Sequence, residues 1–390
     1  MFKVLIWDYT GISSRWLNQV VDMKDINIVG TIDTLTPEES AAEILLSKDA
    51  WNWLLIFEQG SRNLFDAAIQ LMKLPPDRVI YALDLNSWLQ HPKAALVLTN
   101  PVSPVGGYIY HYLNWAWNRQ QNDILACTVE GLSYVATAKD NILMRIMYTE
   151  RVNWASNEMQ RFHMLAQKFY GVDDGAGYFL DLGANIGTTG IYFTKKLAPN
   201  LKLLAFEPNA ENFKLLRVNL LLNDLGDDKV TIVNCGLGDK FDEMTMYRDL
   251  GNPGGNRLVL YKDDMPHETI KIMPLDSYLA ENNIAAHEVK YIWIDTEGFE
   301  AQVILGAKNL LAENPAPIFV EFNLGAWRKF GCFEEFFAVI AGKYSHFILL
   351  YGGKETLYPI DALRTLTPTN NNNLGQMGDI FLIKAGTSIS

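Results

Sequence analysis

The residues best suited to chemistry lie in two acid-terminated runs. The stretch Tyr178-Phe-Leu-Asp-Leu-Gly-Ala-Asn-Ile-Gly-Thr-Thr-Gly-Ile-Tyr-Phe193 carries Asp181 and then a turn containing Gly183 and Gly187. The stretch Leu203-Leu-Ala-Phe-Glu-Pro-Asn209 ends an apolar run in Glu207, twenty residues past Gly187. Glycines at such a turn let backbone approach a ligand, and an acid on the second strand accepts hydrogen bonds from ribose hydroxyls, so the layout suits adenosine. Dinucleotide enzymes use G-x-G-x-x-G to make room for a pyrophosphate at a helix N-terminus. Here the turn is Gly183-Ala-Asn-Ile-Gly187, with Asp181 two residues before it. A carboxylate there repels a pyrophosphate and suits a cation. S-adenosylmethionine carries a sulfonium and an ammonium and no phosphate, and is favoured over a dinucleotide.

A third acidic run is Tyr291-Ile-Trp-Ile-Asp-Thr-Glu-Gly-Phe-Glu300, and Pro317-Ile-Phe-Val-Glu-Phe322 adds Glu321. Methyl transfer is an in-line displacement, and a hydroxyl nucleophile must lose its proton. Ligands of open α/β sheets bind at the strand carboxyl ends, so the base belongs there. Asp295 and Glu297 are the best-placed catalytic candidates, with Glu321 across the cleft. One of them acts as general base, or Asp295 and Glu321 share a divalent cation that lowers the acceptor's pKa. No metal is the favoured reading, because acids without a paired histidine motif are permissive rather than diagnostic. Glu300 is read as a helix cap. His267, in the polar stretch Gly251–Glu268, is a further candidate base, since imidazole titrates near neutrality. His163 and His346 are read as structural. Asn209 and Asn219 are expected to hold the loop after Glu207. Arg257 is either a contact for an anionic acceptor or a solvated loop charge.

These residues need a scaffold. Strands are expected at Tyr178–Leu182, Leu203–Glu207, Val230–Asn234, Tyr291–Asp295, Ile318–Phe322, Phe347–Leu350 and Asp379–Ile383. Helices are expected near Ser156–Phe169, Ile186–Leu197, Glu211–Leu222, Ala301–Leu311 and Phe333–Gly342. The spacing predicts a seven-stranded parallel sheet closed by one antiparallel edge strand, with a mobile loop at Pro368–Gly375. Earlier, Val4–Trp7, Ile26–Ile32, Trp53–Phe57 and Val79–Leu83 alternate with helical patterns at Ser14–Met23 and Asn63–Leu74. That predicts a small Rossmann-like α/β domain. Its Asp8-Tyr-Thr-Gly11 turn and Asp33 are too sparse to assign a second nucleotide. Proline and glycine from Pro92 to Gly107 mark a boundary. The expected domains are 1–105, a connecting piece at 106–175 and 176–390. The connecting piece has an aromatic helix (Tyr108–Asn118) and a hairpin (Ile124–Thr128, Tyr134–Thr137).

With Leu275-Asp276, the ordered motifs over about 178–325 resemble the FkbM family of S-adenosylmethionine-dependent methyltransferases. That family shows DxGAN-x-G, E-P-x-x-x-N, L-D, I-D-x-E-G-x-E and P-x-x-x-E. The resemblance implies a class I methyltransferase fold acting on hydroxyls of sugars or secondary metabolites. It implies that Asp181, Gly183, Asn185 and Gly187 surround the methionine end of the donor and that Glu207 holds the ribose. Asn234-Cys-Gly-Leu237, with Asn234 and Gly236, is implied to line the adenine. Two positions depart from the pattern: Trp293 stands where the family usually has Lys, and Gly236 where it usually has Ala.

Composition sets the outer limits. The chain has 390 residues, 49% hydrophobic and 20% charged, and so suits a globular protein of two domains. A net charge of −12 argues against nonspecific binding to nucleic acid or an anionic membrane. Cys127, Cys235 and Cys332 lie far apart, without zinc spacing, which suits a reducing cytoplasm. Neither a signal-peptide core nor an apolar run of membrane-spanning length is read. The expected partner is a small-molecule or glycan acceptor, and homo-oligomers are left open. Two other functions compete. An N-methyltransferase on nucleic acid fits poorly, because the fourth strand ends Asp295-Thr-Glu-Gly rather than in an aromatic Pro-Pro motif. A donor-binding scaffold without turnover is kept open by the unmatched N-terminal domain.

Overall fold

The computed structural model describes residues 2–8, 26–32, 53–58, 79–84, 96–99, 122–258, 265–351, 354–366 and 376–388, with isolated positions 47, 51, 73–74, 115 and 118–119. It divides into two units, Met1–Leu125 with Thr137–Arg151, and Ala126–Ala136 with Val152–Ser390. The first unit holds β1 (Phe2–Trp7), β2 (Ile26–Ile32), β3 (Trp53–Glu58), β4 (Val79–Asp84) and β5 (Leu96–Thr99), in the order β2-β1-β3-β4-β5. Pairing is parallel except between β4 and β5. Val4 to Trp7 are all buried, which is why β1 reads as an unbroken apolar run. The short Leu96–Thr99 strand falls outside the strand-helix alternation and is not announced by it. The expected helix at Ser14–Met23, all but the last two residues of Asn63–Leu74, the turn to Gly11, and Asp33 lie outside the described residues. So do most of Tyr108–Asn118 and the Pro368–Gly375 loop.

The hairpin comprises β6 (Ile124–Val129) and β7 (Leu132–Thr137), one residue or two longer than expected. Glu130 and Gly131 between them have φ of 51° and 77°, the paired left-handed geometry of a tight hairpin turn. Helices α1 (Leu143–Glu150) and α2 (Ser156–Tyr170) follow.

The second unit is built on an eight-stranded sheet. Its strands are β8 (Tyr178–Leu182), β9 (Lys202–Phe206), β10 (Val230–Val233), β14 (Val289–Ile294), β15 (Ile318–Asn323), β16 (Tyr344–Tyr351), β17 (Lys354–Pro359) and β18 (Gln376–Lys384). They lie in the order β10-β9-β8-β14-β15-β18-β16-β17. The five from β10 to β15 are parallel, and β18, β16 and β17 pair antiparallel. All seven expected strands are present within a few residues. Two expectations need correction. The sheet has eight strands, because β17 adds a largely exposed strand whose Lys-Glu-Thr-Leu-Tyr-Pro sequence has no apolar periodicity. The antiparallel strand β18 is inserted between β15 and β16 rather than at the edge. Ile380-Phe-Leu-Ile383 are all buried, and a strand apolar on both faces belongs inside a sheet.

Strand alternation sorts the core into two layers. Even positions (Leu180, Ile292, Ile318, Val320 and Leu382 among them) join the large aliphatic cluster. On the opposite face Phe162 of α2 meets Tyr291, Trp293, Phe319 and Phe381 at ring distances of 5.6 to 6.0 Å. Trp293 stacks on Phe319 at 4.2 Å. The lysine expected from the family is therefore replaced by an aromatic that completes this layer. The helix expected over Ala301–Leu311 is divided into α6 (Glu300–Leu305) and α7 (Lys308–Glu313), separated at Gly306, where a Cβ would strike the Gly238 carbonyl. The remaining helices are α3 (Thr188–Tyr192, running on as a π turn to Leu197), α4 (Ala210–Leu222), α5 (Leu275–Glu281), α8 (Leu324–Lys329) and α9 (Phe333–Ala341).

A second small sheet lies beside the strand ends: β11 (Gly236–Leu237), β12 (Asp242–Tyr247) and β13 (His267–Met273), in the order β11-β13-β12. It replaces part of the irregular stretch expected at Gly251–Glu268, since His267 and Glu268 open β13.

Candidate functional site

The cleft forms where three strand ends meet. After β8 the chain turns through Gly183 (φ 99°), Asn185 (φ 50°) and Gly187 (φ 89°). The turn presses against the end of β14, so a Cβ on Gly183 would strike the Asp295 carbonyl. Only glycine satisfies both the dihedral and the approach. Gly187 packs its Cα under Leu216, which a Cβ would meet at 2.5 Å.

Glu207, just past β9, is 6% exposed and braces this turn. Its Oε2 accepts the Asn185 N–H at 2.8 Å and its Oε1 accepts the Asn209 N–H at 2.8 Å. Burial pushes its carboxyl up to about 8, against these two bonds. Asn209 caps α4 by accepting from the Asn212 N–H. Asn219 bonds both the N–H and the carbonyl of Val135 and the Ile186 carbonyl, so it ties the hairpin to the glycine turn. Both asparagines hold backbone.

The turn after β14 carries three acids in different settings. Glu300 is fully buried, and its Oε1 accepts from the N–H groups of Thr296 and Gly298 at 3.1 and 2.8 Å. Its Oε2 accepts the Trp327 indole N–H at 2.8 Å. It locks the turn rather than capping α6 from outside. Glu297 is held in a left-handed conformation (φ 54°) and pairs with Arg257 at 3.0 Å. Burial pushes Glu297 up to about 7; Arg257 pulls it down, while Glu300 and Asp249 push it up. Asp295 lies well above the ordinary carboxylate range, first through burial and then through Glu297, Glu300, Asp379 and Asp181. Strand alternation explains this crowding. Asp181 pairs in register with Trp293 and Glu321 with Asp379, so Asp181, Asp295, Glu321 and Asp379 all sit on the aromatic face, at the top of that layer.

These elements line an open cleft. Gly183, Asn185 and Glu207 line it together with Asp295, Glu297 and Arg257, the Gly183 turn lying directly against Asp295. Gly236, Leu237, Met246, Ile270 and Ile272 give an apolar wall. Residues 181–350 match the family described as the methyltransferase FkbM domain.

The chain is similar to the methyltransferase sdnD of Sordaria araneosa, with 35% identity over 82 residues, 21% of this chain and 31% of that protein. The matched segment thus spans about a third of that relative. Among solved structures it is similar to an FkbM methyltransferase from Methylobacillus flagellatus (12% identity, TM-score 0.35, covering 98% of this chain and 90% of that one). It is also similar to an O-methyltransferase from Bacillus cereus in complex with SAH (14% identity, TM-score 0.33, covering 59% and 81%).

Within the matched region the candidate residues separate into those that face the cleft and those that support it. Gly183, Asn185, Glu207, Gly236, Asp295 and Glu297 line it. Asp181 does not: fully buried, its Oδ2 accepts the Thr189 hydroxyl at 2.8 Å and the Gly190 N–H at 2.9 Å, so it fastens α3. Burial pushes its carboxyl up to about 6. Asn234 donates to the Glu207 and Pro208 carbonyls and stands behind the cleft. Gly187 shapes the turn from below. His267 is exposed at the start of β13, against the Tyr247 ring at 6.1 Å, and is not brought to the cleft. Glu321 stays on the sheet face. Among the described residues no three His, Cys, Asp or Glu side chains are grouped to hold a metal. His163 pairs with Asp174 at 2.9 Å, a contact that Tyr291 also makes through its hydroxyl.

The apolar wall was not singled out by the motifs. Its signal is the period-two alternation of Met244 and Met246 in β12 and Ile270 and Ile272 in β13, short enough to pass for loop. Gly236 is fitted to that wall: a Cβ there would meet Ile272 Cδ1 at 2.6 Å. The glycine in place of the family's usual alanine makes room for isoleucine.

Proposed function

We propose that this domain transfers a methyl group from S-adenosylmethionine to a hydroxyl of a small-molecule or glycan acceptor, with Glu297 or Asp295 taking the proton. The observation that carries the reading is one cleft lined both by Glu207 and by Glu297, a carboxylate placed to accept a proton. The residues fit the donor. Asn185 Oδ1 is buried on the cleft wall with no hydrogen-bond partner among the described residues, and the turn leaves no side-chain volume at Gly183. A cationic ammonium would satisfy that oxygen, and the nearby acids favour positive charge. Glu207 keeps free lone pairs for ribose hydroxyls, and the Met246–Ile270–Ile272 wall suits a flat apolar base.

The donor supplies an electrophilic methyl group on a sulfonium. The chain supplies alignment, exclusion of water and proton removal. Glu297, pushed up to about 7, is matched to accept a proton near neutral pH. Arg257 orients it and keeps it from drifting further toward the protonated form. Asp295, on the same turn, is raised well above the ordinary carboxylate range by burial and by the neighbouring acids. The cation-sharing alternative at Asp295 and Glu321 has nothing beyond the two acids to support it. In the described residues no helix is long and apolar enough to cross a membrane.

The test is transfer of a labelled methyl group from S-adenosylmethionine to a panel of sugar nucleotides, glycans and hydroxylated metabolites. Transfer to a hydroxyl, lost in Glu297→Gln, supports the reading. Transfer to an amine alone, or no binding of S-adenosylhomocysteine, ends it.

A further inference from the structure

A second cavity opens farther along the same face of the small sheet, between β12–β13, α6 and the chain after α8. Its floor is apolar: Met244, Ile272, Phe299, Leu305 and Phe330. Phe299 meets Phe330 edge to face at 5.1 Å, which fixes one wall. One polar group stands in that floor. Gln302, on α6, is 6% exposed, and its Oε1 is buried with no hydrogen-bond partner among the described residues. A buried acceptor left unmatched costs about 1–3 kcal/mol, so α6 carries an amide that a donor from the cavity would satisfy.

We propose that this cavity is a second binding site, for a small neutral molecule with an apolar body and one hydrogen-bond donor directed at Gln302 Oε1. Neutrality follows from the floor, which offers no charge to a buried ion. The charged lining is confined to the exposed rim, where Lys240 pairs with Asp242 at 3.4 Å and Asp239 stands in solvent. The site binds rather than reacts. Cys332 lies on its wall, but burial pushes that thiol up to about 11, so it is no nucleophile at neutral pH.

The two cavities share a partition, since Ile272 and Phe299 line both. Gly238 backs it tightly: a Cβ there would meet Ile272 Cγ2 at 2.7 Å and Phe299 Cε1 at 3.1 Å. A ligand on one side is therefore felt on the other without excluding its occupant, and any coupling is reciprocal.

The test titrates phenol and anisole into the full chain by calorimetry, with and without saturating S-adenosylhomocysteine. The two probes match in shape, but only phenol donates. Phenol is expected to bind about fivefold tighter than anisole, the ratio one hydrogen bond supplies, and to bind alongside S-adenosylhomocysteine. Gln302→Leu should bring phenol to the level of anisole. Met244→Trp, which fills the cavity from its wall, should abolish both and serves if Gln302→Leu does not fold. Equal affinities, no binding at millimolar phenol, or exclusion of phenol by S-adenosylhomocysteine would overturn the site. If S-adenosylhomocysteine alone fails to bind, the donor reading falls while the phenol result still decides this one.

Discussion

Glu297 and Glu300 stand three residues apart on one turn, the first half-buried at the cleft and the second fully buried, and they are built for opposite tasks. Glu300 is surrounded by donors: two backbone N–H groups and an indole. Glu297 faces the cleft with Arg257 as its ion-pair partner, on a backbone that favours glycine. Burial raises both carboxyls, but only Glu297 retains an open side from which to accept a proton. A saturated buried acid stabilises structure; a partly paired one at a cleft is available for chemistry.

The sharpest way to break this contrast is Glu300→Ala. It strands the N–H groups of Thr296, Gly298 and Trp327, and unfolding by urea should show a loss of about 3–9 kcal/mol, at about 1–3 kcal/mol per orphaned group. Glu300→Gln keeps an acceptor and should lose less. A loss below about 1 kcal/mol for the alanine variant would show that Glu300 is not the lock.

Next in size is Glu297→Gln, which should fold normally, keep its affinity for S-adenosylhomocysteine, and lose roughly 10²- to 10⁴-fold in kcat/KM. Retained turnover would pass the role to Asp295, whose Asn variant should be assayed in parallel.

Glu207→Ala should weaken S-adenosylhomocysteine by about tenfold, the equivalent of about 1.4 kcal/mol of lost ribose contacts. In the unsubstituted protein that affinity should rise as pH climbs through about 8, because only the ionised carboxylate accepts from both hydroxyls. A flat pH dependence by calorimetry would separate Glu207 from the donor.

The smallest effect is the most specific. Arg257 pulls the Glu297 carboxyl down from where burial would set it, so the rate should rise with pH to a plateau above about 7. Arg257→Met should move that rise to higher pH, with Arg257→Lys in between. A drop in rate with no movement of the profile would make Arg257 a packing residue only.

Much of this site is legible in the chain itself. The glycines at 183 and 187, the acid at 207 and the acid-rich turn from 295 mark where the strands end, because local backbone geometry demands those residue types there. The division of labour among the acids is not legible. Asp181 and Asp295 both follow apolar runs, yet Asp181 points back into α3 and Asp295 reaches the cleft. That difference depends on which neighbouring turn supplies the donors.

Local pattern determined the strands of the second unit, most of its helices and the family resemblance, because period and turn chemistry act over a few residues. Packing at long range decided the rest. It placed β18 inside the sheet, since a strand apolar on both faces needs a neighbour on each side. It also assembled the Met246–Ile270–Ile272 wall, the Arg257–Glu297 pair and the Gln302 cavity from segments far apart in the chain, through contacts that no short-range signal records.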